Sequence, residues 1–296
     1  MRISIVTDEL SNDPETAFEL GLEWGVDAFE LRGVYDQRIP RIEPYRRRRL
    51  IRAIRDFGVK ITAVSPGLFK IPLPAEAPAR SNLGWMDRRF SQAWSEARNM
   101  VADHLENLLP ETIDFAGEAG ASMIIAFSFE RGGDRPGNTP PAAIDALARA
   151  GEAAGKAGLT LAIETEEGHW ANTGHRSAAL AEKINLDNAG INWDPANALI
   201  DGDLPYPDGY QAIRPFLKNV HFKDVAVDTD GSWQIVEQGG VDWTGQIAAL
   251  VRDGYQGAIA IEPHLSPSVA SCRRSLERLR VLISEAQNAK ENFSTN

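Results

Sequence analysis

Cysteine is almost missing from this chain. The single Cys272 rules out an intramolecular disulfide framework and any zinc site built on cysteines. Basic charge is also scarce: 31 lysines and arginines stand against 42 aspartates and glutamates, a net charge of −11. Phosphate backbones and anionic membranes are held by a basic footprint, so neither nucleic acid nor membrane is expected as a partner. No apolar run approaches the roughly 18 residues of a spanning helix. The start, MRISIVTDEL, has neither the charged nor the long apolar region of a signal peptide. A soluble cytoplasmic protein is the expectation.

What the chain does have is a repeated pattern. Its 296 residues, 43% of them hydrophobic, suffice for one large core. The stretch 159–168, LTLAIETEEG, runs from apolar residues into Glu164, Glu166 and Glu167. An apolar run of that length without helical periodicity suits a strand buried on both faces, as in a parallel sheet. Three later segments repeat the design: INWD ends in Asp194, NVH in His221 and AIAIE in Glu262.

The rest of the chain falls into the same alternation. Strands are expected at 1–6, 28–31, 60–64, 123–127, 159–164, 189–194, 220–222 and 258–262. Helices are expected at 14–24, 43–57, 93–118, 141–156, 176–184, 210–218, 241–253 and 268–285, followed by a polar tail, 288–296, that should fray. Strict alternation implies parallel pairing, and eight units in this length predict a single-domain (β/α)8 TIM barrel spanning 1–296. Asp13 and Pro14 form an N-cap and first-turn pair. The basic block Arg46 to Arg49, with Arg52 and Arg55, reads as a solvated helix face. Its second reading is a contact with an acidic neighbouring subunit, which leaves a homo-oligomer open. The irregular region 65–90, with four prolines, Phe69 and Trp85, reads as a lid over substrate. His104 reads as a helix residue rather than a ligand, because no partner sits at i+3 or i+4.

In a closed barrel consecutive strand ends lie side by side, at the face that carries function. Glu164, Asp194, His221 and Glu262 would then converge. Three carboxylates and an imidazole suit one divalent ion, Mn²⁺ or Mg²⁺ best, with Co²⁺ or Zn²⁺ as alternatives. The competing explanation for any one of these acids is that it caps the helix that follows.

The segments LAIETE, NWDPAN, NVHFKD and GAIAIEPH, with spacings of 30, 27 and 41 residues between the four candidates, resemble the xylose isomerase-like barrel superfamily. The likeness is to its sugar phosphate isomerase/epimerase branch. DGSWQIVEQGGVDW and DGYQGAIAIE also resemble that branch between the seventh and eighth strands. The resemblance is specific in the C-terminal half and architectural in the first. It implies that Glu164, Asp194, His221 and Glu262 bind the metal, and that Glu164 and Glu262 are also the catalytic acid–base pair. It implies that Lys223 faces substrate; the bland alternative is a salt bridge to Asp224 or Glu262. Ketose 3-epimerases of the family place a histidine three residues after the metal aspartate and an arginine six after the metal histidine. Asn197 and Val227 stand there, which weakens the epimerase assignment while sparing the metal site. His169 and His175 are the candidates to replace those substrate contacts, with Asn197 itself at the first position.

The function implied is metal-dependent isomerisation or epimerisation of a small carbohydrate through an enediolate. An inosose-type dehydratase using the same site is the alternative. Abasic-site endonucleases share the barrel, but five histidines and a charge of −11 do not fit a three-zinc, DNA-binding site. The complete ligand set counts against a decayed, non-catalytic barrel.

Overall fold

The computed structural model describes residues 1–73, 96, 98–131 and 137–294. Its centre is a closed barrel of eight parallel strands. In chain order these are β1 (Arg2–Val6), β2 (Ala28–Leu31), β3 (Lys60–Leu68), β4 (Met123–Ala126), β5 (Thr160–Glu164), β6 (Ala189–Trp193), β7 (Leu217–Phe222) and β8 (Ala258–Ile261). Each pairs with its chain neighbours, and β1 closes onto β8 with Arg2 opposite Ala258 and Ile5 opposite Ile261.

The helices cover the barrel: α1 (Pro14–Glu23), α2 (Pro44–Phe57), α3 (Leu109–Ala119), α4 (Pro141–Lys156), α5 (Gly174–Ile184), α6 (Tyr210–Ile213), α7 (Trp243–Arg252) and α8 (Ser268–Ser294). Outward strand residues such as Phe29, Leu161, Ile191, Val220 and Ile259 are fully buried beneath Phe18, Phe115, Leu147 and Leu250 of this helical layer. Burying side chains of this size is worth about 1.5–3 kcal/mol each, so the sheet–helix interface dominates stability. Because side chains alternate along a strand, residues two apart share a face. Ala162 and Glu164, Asn192 and Asp194, Asn219 and His221, and Ala260 and Glu262 are therefore paired on the inner face. Local signals set the helix starts. Asp13 caps α1 by accepting from Glu15 N, and Thr173 caps α5 by accepting from Arg176 N at 3.3 Å. No helix among the described residues is long and apolar enough to cross a membrane.

Several expectations need correction. β3 runs to Leu68 and takes up the first part of the expected lid. Phe69 is fully buried, stacked on Phe129 with ring centroids 4.7 Å apart, so it is core rather than cover. Trp85 and most of that region lie outside the described residues. The helix expected at 93–118, with a break near Pro110, is interrupted there: a π-turn, His104–Leu108, precedes α3, because Pro110 cannot supply an amide to a regular α-helical ladder. Pro215 likewise ends α6 early in a 3₁₀ turn, Arg214–Phe216, and frees Leu217 to begin β7. The tail expected to fray continues α8 to Ser294, where Lys290 Nζ donates to the Val251 carbonyl at the end of α7 at 2.8 Å. Two short hairpins were not foreseen: Gly33–Val34 with Gln37–Arg38 after β2, and Asp224–Val227 with Trp233–Val236 after β7.

Much of the basic block is spent within the chain. Arg47 reaches Asp114 and Glu118 on α3, and Arg49 reaches Glu15 on α1. Arg46 donates to the Tyr35 carbonyl at 2.6 Å, bracing the first hairpin, whose turn residues Tyr35 and Asp36 both take positive φ (54° and 59°).

His104 has a structural task. Its Nδ1 accepts the amide of Phe69 at 2.9 Å, and Phe69 itself sits at φ 62°. Burial lowers the His104 pKa from its ordinary 6.5, with Asp103 opposing. The unfolded chain therefore binds this proton more readily, so stability rises with pH through this window. The contribution is complete above about pH 6.5 and fades as pH falls through the lower, folded value. Losing the bond is worth about 1 kcal/mol. The melting temperature should therefore drop more between pH 7 and 5 for wild type than for His104→Asn, which keeps an acceptor near the Nδ1 position without titrating. Parallel curves for the two proteins would remove this role.

Candidate functional site

The inner-face residues at the C-terminal strand ends meet where the spacing predicts. Ligand atoms of Glu164, Asp194, His221 and Glu262 all lie within 4.8 Å of one another, and all four residues are buried. His221 Nδ1 is 3.3 Å from Glu164 Oε1 and 3.1 Å from Glu262 Oε2.

Asp194 caps a helix and still reaches the cluster. Its Oδ1 caps the short helix Pro195–Ile200 by accepting from Ala196 N and Asn197 N, each at 3.0 Å. Its Oδ2 lies 2.7 Å from Lys223 Nζ. One carboxylate thus ends a strand, starts a helix and still presents an oxygen to the cluster.

His221 is aimed from below. Its Nε2 is 3.2 Å from both carboxylate oxygens of Glu30 on β2, whose Oε2 also accepts from Asn219 Nδ2 at 3.3 Å. A proton on Nε2, donated to Glu30, leaves the Nδ1 lone pair facing Glu164 and Glu262, the carboxylate–histidine arrangement common behind metal-binding imidazoles. Glu30→Gln should therefore weaken divalent-ion affinity about 10–100-fold with little loss of fold. Unchanged affinity by calorimetry would dismiss the positioning role.

Glu262 is clamped by Arg32, which also bonds Asp8 Oδ2 at 2.9 Å and Glu9 Oε1 at 2.5 Å. His264 Nδ1 lies 2.6 Å from Glu9 Oε1 and its Nε2 3.4 Å from Glu262 Oε1. Gly33 lets the first hairpin pass this network, since a Cβ there would lie 2.8 Å from Asp8 Oδ2.

Electrostatics within the cluster follow from burial and neighbours. Burial raises the pKa of Glu164, with His221 opposing. Burial likewise raises that of Asp194 against the pull of Lys223. For Glu262 burial is outweighed by His221, Lys223 and His264, which hold its carboxyl well below the usual range. Burial also opposes charge on His221, yet Glu262, Glu30 and Glu164 lift its pKa well above the ordinary value. His264 is pushed up to about 9, burial being overcome chiefly by Glu262 and Glu9.

Above the cluster is a cavity of about 260 Å³, lined by Glu164, Glu166, Glu262, Lys223 and His264 together with Arg32, Arg38 and Lys70. Lys223 lines it, as expected, but pairs with Asp194 and Glu262 at 2.7 and 3.4 Å rather than with Asp224, which holds Arg278 instead. The Trp243 indole fixes the Lys223 carbonyl at 3.0 Å. Asn197 is not among the lining residues; its Nδ2 donates to Glu166 Oε2 at 3.0 Å and to the Thr165 carbonyl. His169 lies beside the cavity wall, its Nδ1 2.8 Å from the Glu167 carbonyl and its ring 5.9 Å from that of Phe127. His175 is exposed on α5, and Val227 is exposed on the second hairpin.

Sequence reasoning missed Arg32, Arg38, Lys70 and His264 as cavity residues and Glu30 as the support of His221. The signal for Glu30 and Arg32 was there: applied to β2, the strand-end rule picks out the acid and base of FELRG.

A closed parallel barrel with acids and an imidazole at consecutive strand ends defines a (β/α)8 protein with a candidate metal site. The chain belongs to the xylose isomerase-like TIM barrel family, whose model matches residues 18–282. No curated protein matches it. Among solved structures it is similar to L-ribulose 3-epimerase, at 18% identity and a TM-score of 0.69, covering 99% of this chain and 98% of that one. It is also similar to a probable 3-DHS dehydratase involved in petrobactin synthesis from Bacillus anthracis, at 17% identity, 93% and 97% coverage and a TM-score of 0.65. A xylose isomerase-like TIM barrel protein from Mycobacterium smegmatis in complex with magnesium matches at 18% identity, 91% and 88% coverage and a TM-score of 0.64. Identities this low speak for the fold alone.

Proposed function

We propose that this chain is a divalent-metal-dependent isomerase or epimerase of a small sugar, sugar phosphate or related ketone, with Mn²⁺ or Mg²⁺ as its ion. The observation that carries this reading is the convergence of Glu164, Asp194, His221 and Glu262. The donor set fits a hard cation. Oxygen donors dominate, joined by one imidazole, and one ligand atom from each residue lies within 4.8 Å of the others. Bound by these four residues, the ion would polarise a substrate carbonyl and favour an enediolate.

The chain's own part is proton transfer. Glu164 ends β5 and Glu262 follows β8, so the two carboxylates approach a ketone from different sides of the cavity. One removes the proton beside the carbonyl, and the other returns a proton to the opposite face or the neighbouring carbon. Each transfer is worth about 10²–10⁴-fold. Lys223 contacts substrate from the cavity wall, Asn197 acts by fixing Glu166, and His169 supports the wall at Phe127. The magnesium-bound and epimerase relatives support the same reading.

Incubating a panel of ketoses and inososes with metal-loaded protein in D₂O tests it. The expected result is solvent deuterium at the reacting carbon of an intact skeleton. Product without any solvent hydrogen would remove the two-glutamate scheme in favour of a hydride shift.

Dehydration is the second reading, favoured by one observation: His264 lines the cavity as a further proton donor, which a departing hydroxyl requires. A new ultraviolet-absorbing enone or dione would decide for it.

A further inference from the structure

The cations around the cavity differ in how their charge is met. Arg32 is paired with Asp8, Glu9 and Glu262, Lys70 with Glu166, Lys223 with Asp194 and Glu262, and His264 with Glu9 and Glu262. Arg38 alone among them makes no ion pair with any described residue. Among the described residues its polar contacts are to Ser65: Nε donates to the carbonyl at 3.0 Å and Nη2 to Oγ at 3.1 Å.

Those two bonds hold one edge of the guanidinium, and the Nη1 side has no acceptor among the described residues. Ser65 is buried, so the fork is fixed at its base while its tip is open to the cavity. Gly67 passes alongside it; a Cβ there would lie 3.4 Å from Arg38 Nε. The hairpin bearing Arg38 is itself braced by Arg46 on the Tyr35 carbonyl. Crowding by protein, reinforced by Arg32, depresses the Arg38 pKa, as expected of a cation whose charge is not fully compensated. A planar, preorganised guanidinium with a free edge matches a carboxylate or phosphate in a way that a neutral hydroxyl does not.

We propose that Arg38 receives an anionic substituent of the substrate, so that this cavity takes an acidic polyhydroxy ketone, carboxylated or phosphorylated, in preference to a neutral ketose. The inference rests on the function proposed above and narrows its substrate class. The anionic end lies under the first hairpin, and the reacting end lies against Glu164 and Glu262.

Three probes sharing a six-carbon polyol chain separate the alternatives: sorbitol (neutral), gluconate (carboxylate) and sorbitol 6-phosphate (phosphate). Calorimetry with the metal-loaded protein should show at least one acid bound about 10–100-fold more tightly than sorbitol, the range of one charge-assisted pair. The acid that wins identifies the substituent. Arg38→Gln should abolish the preference for the acid over sorbitol, while Arg48→Gln, on the outer face of α2, should preserve it. Circular dichroism establishes that the variants are folded. Equal affinity for all three probes, including no measurable binding of any, overturns the proposal, as does a preference that survives Arg38→Gln. Because the readout is binding, preference for an acid without deuterium exchange would refute the isomerase reading and leave this one standing. Exchange of neutral ketoses with no preference for acids would do the reverse.

Discussion

Glu164→Gln and Glu262→Gln should each lower turnover by about 10²–10⁴-fold, the contribution of one positioned acid–base catalyst. Glutamine preserves shape and one oxygen donor, so part of the metal affinity should survive in both. What disappears is the ability to take or return a proton. The two variants should fail differently. A variant missing only the returning acid can still exchange the substrate's own proton for solvent deuterium without completing the reaction, whereas a variant missing the base does neither. Glu262→Gln also releases one arm of Arg32, which keeps Asp8 and Glu9, so the surrounding network should hold. Glu166 lines the same cavity outside the four-residue cluster, and Glu166→Gln should cost clearly less. Turnover and deuterium wash-in followed by NMR would check all three variants. Full activity in either of the first two would rule out the acid–base pair.

The second large effect concerns proposed ligands that move no proton. Asp194→Ala should reduce divalent-ion affinity by more than about 100-fold, beyond what loss of a supporting residue costs. It should also lower stability by about 0.5–2 kcal/mol, because Oδ1 is the cap of the helix Pro195–Ile200. Asp194→Asn separates the two roles, since an amide oxygen can still accept from Ala196 N and Asn197 N but offers the ion no charge. Thermal melts should place Asp194→Asn near wild type and Asp194→Ala below it, with both poor in metal by elemental analysis. Wild-type metal content in both would remove Asp194 from the site. Failure of Asp194→Ala to destabilise would remove only the cap.

The sequence carried the C-terminal half of the site for a physical reason. Strands buried on both faces read as apolar runs, and a period of two puts an acid or imidazole at the end of β5, β6, β7 and β8 on the same inner face. Asp194 was ambiguous on paper because cap and ligand use the same residue type. The structure shows Oδ1 capping the helix while Oδ2 lies beside Lys223. The cation-rich wall was not legible. Arg38 is placed by a hairpin whose paired segments are two residues each, too short to leave a periodic signal. Phe69 looked like an exposed loop aromatic, but its left-handed backbone and the His104 acceptor turn it into the core. The polar end of α8 looked frayed because few of its residues are apolar. Leu282 and Ala286 pack on the core just before it, Lys290 ties it to the Val251 carbonyl, and the helix persists.

Glu164, Asp194, His221 and Glu262 are proposed to hold one divalent ion together. Titrating chelator-stripped protein with Mn²⁺, and following loss of the free-ion electron paramagnetic resonance signal, tests it most directly. Wild type should take up one ion per chain, and the Asp194→Asn/His221→Ala double variant none under the same conditions. No uptake by wild type, or equal uptake by both proteins, would contradict it.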